Sequence, residues 1–335
     1  MFGLLGILGA LLATMTLEGA SSAGDDERDS QSADPDEEVE GSGTSSYIDI
    51  TDTDGGVSPD DGAVTTDDTP APQDPDEVLL GSDGADSLVG NTGEDLLSSD
   101  DGDDYLQGNA GNDSLAAGAG QDQAHGGDGD DEALGGAGND LLWGDAGNDS
   151  LFGGLDDDRL AGGVGDDSLD GGTGDDELAG GTGNDMIGGG DGDDTLNGGD
   201  GDDVVFGDAG ADEVDGGAGN DTLSGGDDDA VDFLNGGDGD DELSLYMGDY
   251  GNGGYGADQF TLQDIAPGAA IAQITDYDPA EDSLVVLYDQ ALHPDPQLTL
   301  RETGSGSILL LDGVAVASLT HDAAIDLADI QMRAA

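Results

Sequence analysis

The sequence predicts an all-β protein organised around a parallel β-roll, with a small β-rich C-terminal domain and a disordered acidic N-terminal region. Three observations carry this. A nine-residue period runs without a gap from Gly81 to Ser224, in units such as GGAGNDLLW (135–143), GGTGDDELA (171–179) and GGDGDDTLN (189–197). Glycine supplies 64 of the 335 residues and gathers at the first, second and fourth positions of the unit. The eighth position is apolar throughout, with Ala124 and Ala133 its only small members, which suits a three-residue strand with one side chain turned inward.

In chain order, MFGLLGILGALLATMTL is an uncharged run, followed by Glu18 and small residues to Ala23. Residues 1–23 are read as an export signal, an anchor or a hydrophobic cap. No basic residue precedes the run, although a Sec signal normally starts with one, and its length is marginal for a membrane span. Residues 24–78 are rich in Asp, Ser, Thr, Pro and Gly and read as an acidic disordered linker.

The roll is expected over 79–261. Asp stands at the sixth position of every unit from 81 to 224, and glycine at the fourth in all but one, where Asp156 replaces it. The glycines at positions one, two and four are expected to take positive φ in a tight turn. Two extra residues enter the unit at 225–235, GGDGDDELS restores the pattern, and a degenerate stretch, LYMGDYGN, precedes a last unit at 253–261. The start frays as well, with Ser99 and Ala117 at position one and Asp100 and Asn109 at position two. Beyond 261 the glycine period vanishes. Residues 262–335 carry apolar runs such as DSLVVLY and SILLLDGVAVASL, where Asp312 and Gly313 read as a two-residue hairpin turn, and the stretch DAAIDLADIQM reads as a short helix.

Charge narrows the chemistry. The chain has 80 acidic residues against 4 basic ones, a formal charge of −76, and no lysine. Nucleic acid is excluded as a partner, since binding it takes Lys and Arg, and membrane contact is confined to residues 1–17 if they are retained. With no cysteine there are no disulfides and no thiolate metal site. Carboxylate and carbonyl oxygens remain, and they suit calcium. If two units form one coil, Asp residues eighteen apart stack at about 4.8 Å and repel by roughly 0.9 kcal/mol per pair even at the dielectric constant of water. A calcium site with a dissociation constant near ~0.1 mM adds about 1.4 kcal/mol at roughly 1 mM free calcium, so many such sites would decide the folding equilibrium.

The units resemble the GGxGxDxUx nonapeptides of the RTX, or hemolysin-type calcium-binding, repeat family, over residues 81–261. The resemblance implies a right-handed parallel β-roll that holds calcium between successive turns through loop carbonyls and the sixth-position aspartates. Those are Asp86, Asp95, Asp104, Asp113, Asp122, Asp131, Asp140, Asp149, Asp158, Asp167, Asp176, Asp185, Asp194, Asp203, Asp212 and Asp221, then Asp232, Asp241 and Asp258. Asp86, Asp95 and Asp104, at the frayed start, are expected to be the poorest sites. So is Asp158, with Asp156 at a glycine position and Arg159 beside it. The resemblance also implies secretion through a type I ABC exporter that reads the C-terminal region, after about residue 280, although the ending IQMRAA departs from the acidic and hydrophobic ending of some family proteases.

No HExxH, GxSxG, Walker loop or thiol nucleophile is present. His125, His293 and His321 are isolated and read as solvated surface residues. The positions flanking the apolar residue are mixed, which disfavours the threonine array of an ice-binding face. Two functions compete. The first is a secreted, extracellular, non-catalytic protein that folds on calcium and acts in a surface, matrix or adhesive role. The second is the export and folding module of an enzyme, but residues 24–78 and 262–335 leave little room for a catalytic domain.

Overall fold

The computed structural model describes residues 75–335 apart from 229, 264–269, 305, 322 and 323. The apolar segment 1–23 and nearly all of the linker 24–78 lie outside the described residues. Every described element is a β-strand, and successive strands of the array alternate between two sheets, one of 13 strands and one of 14. Within each sheet the array strands pair in parallel with a register of eighteen residues: Leu142 faces Leu160, and Leu160 faces Leu178. Two nonapeptides therefore make one coil of a parallel β-solenoid, and the all-β β-roll is the fold.

The core is one column of side chains between the sheets. Position-eight residues from Leu88 through Leu142, Ile187 and Val205 to Leu243 are at most 3% exposed. Ala124 and Ala133 occupy the same column, buried like the leucines. The irregular units do not break it. Val214 pairs with Leu234 across the two-residue insertion, and Leu234 pairs with Gly251 across the short stretch that follows. Added and missing residues fall in turns, where length costs little. Gly251 brings no side chain to the column, and Leu245 packs into the space that a Cβ there would take.

The structure corrects four expectations. Most array strands span six residues rather than three, as in Leu141–Ala146 and Ser168–Thr173, because the glycine pair pairs across coils too: Gly172 faces Gly190. Glycine has weak strand propensity, but here the parallel neighbours on both sides impose the extended backbone. Second, position-one glycines do not adopt positive φ; positions two and four do, as at Gly172 (φ 104°) and Gly174 (φ 134°). Third, the described residues of the final stretch, from 324 on, form no helix: Gln331–Ala334 is a strand pairing in parallel with residues 285–288. Fourth, His293 is buried, not solvated. Its Nδ1 lies 2.6 Å from Asp312 Oδ2, because the chain before Leu298 folds back onto the hairpin turn.

Both sheets run on past residue 262. Ala272–Ile274 pairs with residues 250–251, Ser283–Tyr288 with 259–262, and Val314–Thr320 in parallel with 272–274. Gly306–Leu311 and Val314–Thr320 form the expected hairpin, and Asp312 and Gly313 both take positive φ, 52° and 84°. At the other end, Val78–Leu80 pairs with residues 96–98, so the solenoid begins within the segment read as linker. Glu77 stands there in place of an aspartate and sends its N–H to Asp95 Oδ1 at 2.7 Å.

Candidate metal centre

The sixth-position aspartate closes each turn immediately before a strand starts, so its backbone is fixed by the strand and its side chain by the turn. Along each edge of the solenoid these residues form a ladder. The N–H of Asp131 donates to Asp149 Oδ1 at 2.8 Å, and that of Asp149 to Asp167 Oδ1 at 2.8 Å. On the opposite edge Asp140 donates to Asp158 and Asp158 to Asp176, at 2.8 and 2.7 Å. The rungs persist across the insertion, from Asp212 to Asp232 at 3.0 Å and from Asp221 to Asp241 at 2.8 Å. Every ladder aspartate from Asp95 to Asp258 is at most 3% exposed.

One oxygen is thus satisfied by the neighbouring coil. The other, Oδ2, is buried without any hydrogen-bond partner in fifteen of the ladder aspartates: Asp104, each ninth residue from Asp113 to Asp221, and Asp241. A buried, unpartnered carboxylate oxygen is costly, and the cost shows in protonation. Burial pushes Asp131, Asp158, Asp212 and Asp241 up to about 7, with adjacent ladder carboxylates adding to the rise and the N–H from the neighbouring coil opposing it. The same forces raise Asp140, Asp167, Asp185, Asp194, Asp221 and Asp232 to about 6. Without a counter-charge these ten carboxyls would hold protons at a pH where an ordinary aspartate is ionised.

The position-one glycine explains the geometry around that oxygen. A Cβ on Gly144 would run into Asp149 Oδ2 and stand 2.6 Å from the carbonyl oxygen of Gly162 on the next coil. Gly171, with Asp176 Oδ2 and the Gly189 carbonyl, repeats the arrangement. Glycine is used here for close approach, and the space it leaves is lined by oxygen. Left-handed backbone belongs to positions two and four. Where an array residue with positive φ is not glycine it is Asp or Asn, as at Asn109, Asp145, Asp156 and Asp208, with φ between 71° and 80°. Asx residues tolerate that conformation best among residues with a Cβ.

Among the described residues no three His, Cys, Asp or Glu side chains converge as a ready-made metal cluster. Each half-coil offers one hard anionic oxygen beside backbone carbonyls. That donor set fits calcium, which accepts many oxygens including main-chain carbonyls, and does not fit zinc. The residues that would hold the cation are the ladder aspartates through Oδ2, with turn carbonyls completing the shell.

All nineteen sequence-assigned aspartates occupy the ladders, but not in one state. Asp104 and Asp158, expected to be poor, have the burial, the rung and the free oxygen of the interior. Asp86 and Asp95 differ: their Oδ2 atoms accept N–H bonds from Ser82 at 2.7 Å and Asn91 at 2.6 Å. Two further ladder members escaped the sequence pattern. Asp249 receives the Asp232 N–H at 3.3 Å, and Asp282 that of Asp258 at 3.1 Å. Asp249 lies nine residues before Asp258, which was the available signal, but Gly251 at its eighth position hides the unit. Asp282 carries only the local triplet DSL, far from its neighbours in sequence.

The family model of the RTX calcium-binding nonapeptide repeat matches this chain in overlapping windows, 76–106, 89–124, 98–133, 125–160, 152–187, 188–223 and 206–243. Together they span half of the chain. No curated protein matches it.

Proposed function

This chain belongs to the RTX calcium-binding nonapeptide repeat family, and from that premise we propose that it is a secreted, non-catalytic protein whose roll folds when calcium binds after export. The observation that carries this is the row of buried Oδ2 atoms without partners. An interior built of unpaired carboxylate oxygens is unstable at cytosolic, sub-micromolar calcium and stable where calcium is millimolar. The chain would pass a type I ABC exporter unfolded, with the region after about residue 280 as its address, and order outside the cell. Its role there is that of a calcium-stiffened surface, matrix or adhesive element.

Calcium titration followed by far-ultraviolet circular dichroism tests the switch. A chain that gains β-structure cooperatively as calcium rises toward millimolar supports it; the same folded spectrum in calcium and in chelator sinks it. Export is tested separately, by comparing secreted protein in cells with and without a type I exporter. A hydrolase or epimerase activity in the calcium-loaded protein would overturn the non-catalytic assignment.

A further inference from the structure

Beside each ladder aspartate stands the residue at position five, on the outer rim of its turn. In the turns that enter the 13-stranded sheet this position alternates Asn and Asp without a break from Asn112 to Asp240, as at Asn148, Asp166, Asn184 and Asp202. In the turns that enter the 14-stranded sheet it reads Asp157, Asp175, Asp193 in three successive coils. These residues form ladders of their own. The Asn184 N–H donates to Asp166 Oδ1 at 2.8 Å and the Asp202 N–H to Asn184 Oδ1 at 2.9 Å. On the other rim, Asp175 donates to Asp157 Oδ1 and Asp193 to Asp175 Oδ1, both at 3.0 Å. The direction is opposite to that of the position-six ladder, so each coil is tied to both of its neighbours.

An amide oxygen and a carboxylate oxygen accept these bonds alike, at the same distances. Hydrogen bonding therefore favours an Asx side chain at position five, which Gln121 and Ala211 show to be dispensable, and does not explain the alternation. Charge does. On the alternating rim, carboxylates of this row lie two coils apart, about 9.6 Å, beyond the screening length of roughly 8 Å at physiological salt. On the other rim they lie one coil apart, about 4.8 Å, where like charges directly opposite one another destabilise a sheet. Asn220 Nδ2 even donates to Asp202 Oδ1 at 3.0 Å, turning a repulsive neighbour into an attractive one. No such relief reaches Asp175. The nearby Arg159 pairs with Glu177 at 2.7 Å, both well exposed.

We infer that position five sets how much calcium the roll needs in order to fold, with the alternating rim lowering the requirement and the Asp157–Asp175–Asp193 run raising it. This rests on the calcium-dependent folding proposed above. Two variants of the full chain separate the effects while keeping every hydrogen-bond acceptor. N148D/N184D/N220D makes the alternating rim continuously acidic, and D175N removes both close contacts on the other rim. Calcium titrations at low salt should place the midpoint of the triple variant roughly 1.5-fold higher than that of the parent chain and the midpoint of D175N lower by a smaller factor. About 0.5 M NaCl should erase most of both shifts, and the number of calcium ions bound should not change.

Shifts in the same direction, or shifts that survive salt, overturn the inference. So does a calcium ion lost in D175N, which would make Asp175 a ligand. Should the triple variant fail to fold at any calcium concentration, N184D alone gives the same test with a smaller upward shift. A parent chain with no calcium-dependent transition would instead remove the proposed function itself, before position five is reached.

Discussion

The interior of the aspartate ladder and its ends are built from the same residue in the same register, yet their carboxylates are treated differently. From Asp104 to Asp221, Oδ1 takes the N–H of the neighbouring coil and Oδ2 takes nothing. At the start, Asp86 and Asp95 receive N–H groups from four residues upstream, Ser82 and Asn91. At the finish, Asp249 Oδ2 receives the Tyr246 N–H at 2.6 Å, and Asp282 Oδ2 the Asp278 N–H at 2.7 Å. In all four cases the chain folds back on its own carboxylate. At the ends the second oxygen is taken by the chain's own N–H groups, although burial still pushes Asp282 up to about 6, whereas in the interior that oxygen is left for something outside the protein.

Calcium withdrawal should expose that difference most. With chelator present, hydrogen exchange read segment by segment should show amides from 104 to 221 losing nearly all protection. The hairpin strands 306–311 and 314–320, which depend on no ladder carboxylate for their pairing, should keep more of theirs. Equal loss in both segments would mean that the ends offer no independent stability and that the chain unfolds as one cooperative unit.

Acid should partly substitute for the cation. Carboxyls raised from 3.8 to about 6 or 7 bind more protons in the folded chain than in the unfolded one, so the metal-free roll loses stability as pH rises. That contribution is fully present below about pH 4, fades between about 4 and 7, and is absent above. Circular dichroism in chelator should therefore show more β-structure at pH 4 than at pH 7.5. With calcium present the slope reverses, because protons and calcium compete for the same oxygen. Metal-free β-structure that grows with pH would contradict the buried ladder.

Single Asp to Asn substitutions give a finer comparison. D167N keeps an oxygen for the Asp149 N–H but removes the anionic Oδ2. It should cost roughly 1–3 kcal/mol in saturating calcium and be neutral or stabilising in chelator, where it deletes a buried charge. D95N should behave differently. Both Asp95 oxygens accept backbone N–H groups, from Glu77 and Asn91, so an amide leaves one donor facing another whichever way it is turned. Its cost, about 1 kcal/mol, should be the same with and without calcium. Urea melts of the two variants at saturating calcium and at calcium just above the folding midpoint would show whether the effect of D167N alone depends on calcium.

How far this was legible in the sequence follows from what each feature depends on. The eighteen-residue register, the leucine column and the Asp312–Gly313 turn depend on period and residue type, and they were readable. The six-residue strands were not, because Gly-Gly-X takes its extended form from parallel neighbours rather than from propensity. The end of DAAIDLADIQM was misread as helix for the same reason: Gln331 and Met332 belong to a strand whose conformation is set by pairing with 285–288. Within the ladders, residue type located the aspartates but said nothing of which oxygen was used. That depends on whether a turn closes on its own carboxylate, as at Asn91, or leaves it open, as at Asp104. Asp249 was hidden by a packing substitution, with Leu245 filling the column above a glycine.

The smallest effect concerns Asp156, the one fourth-position residue from 81 to 224 that is not glycine. It holds φ at 71° and its charge raises both Asp140 and Asp158. Left-handed backbone costs a residue with a Cβ roughly 1–2 kcal/mol, somewhat less for Asp. D156G removes the strain and a like charge together, and the glycine's looser unfolded state gives back part of the gain. The net should be a stabilisation of about 0.5–1 kcal/mol in calcium, with Asp158 still binding its share. D156N separates the two contributions: it keeps the left-handed side chain and removes only the charge. If D156N matches D156G, repulsion within the turn outweighs backbone strain at this site; if D156N matches the parent chain, strain accounts for the whole effect. Either result measures how much an interior turn tolerates departure from glycine at position four, to set beside position two, where Asn109, Asp145 and Asp208 already hold left-handed backbone in the interior.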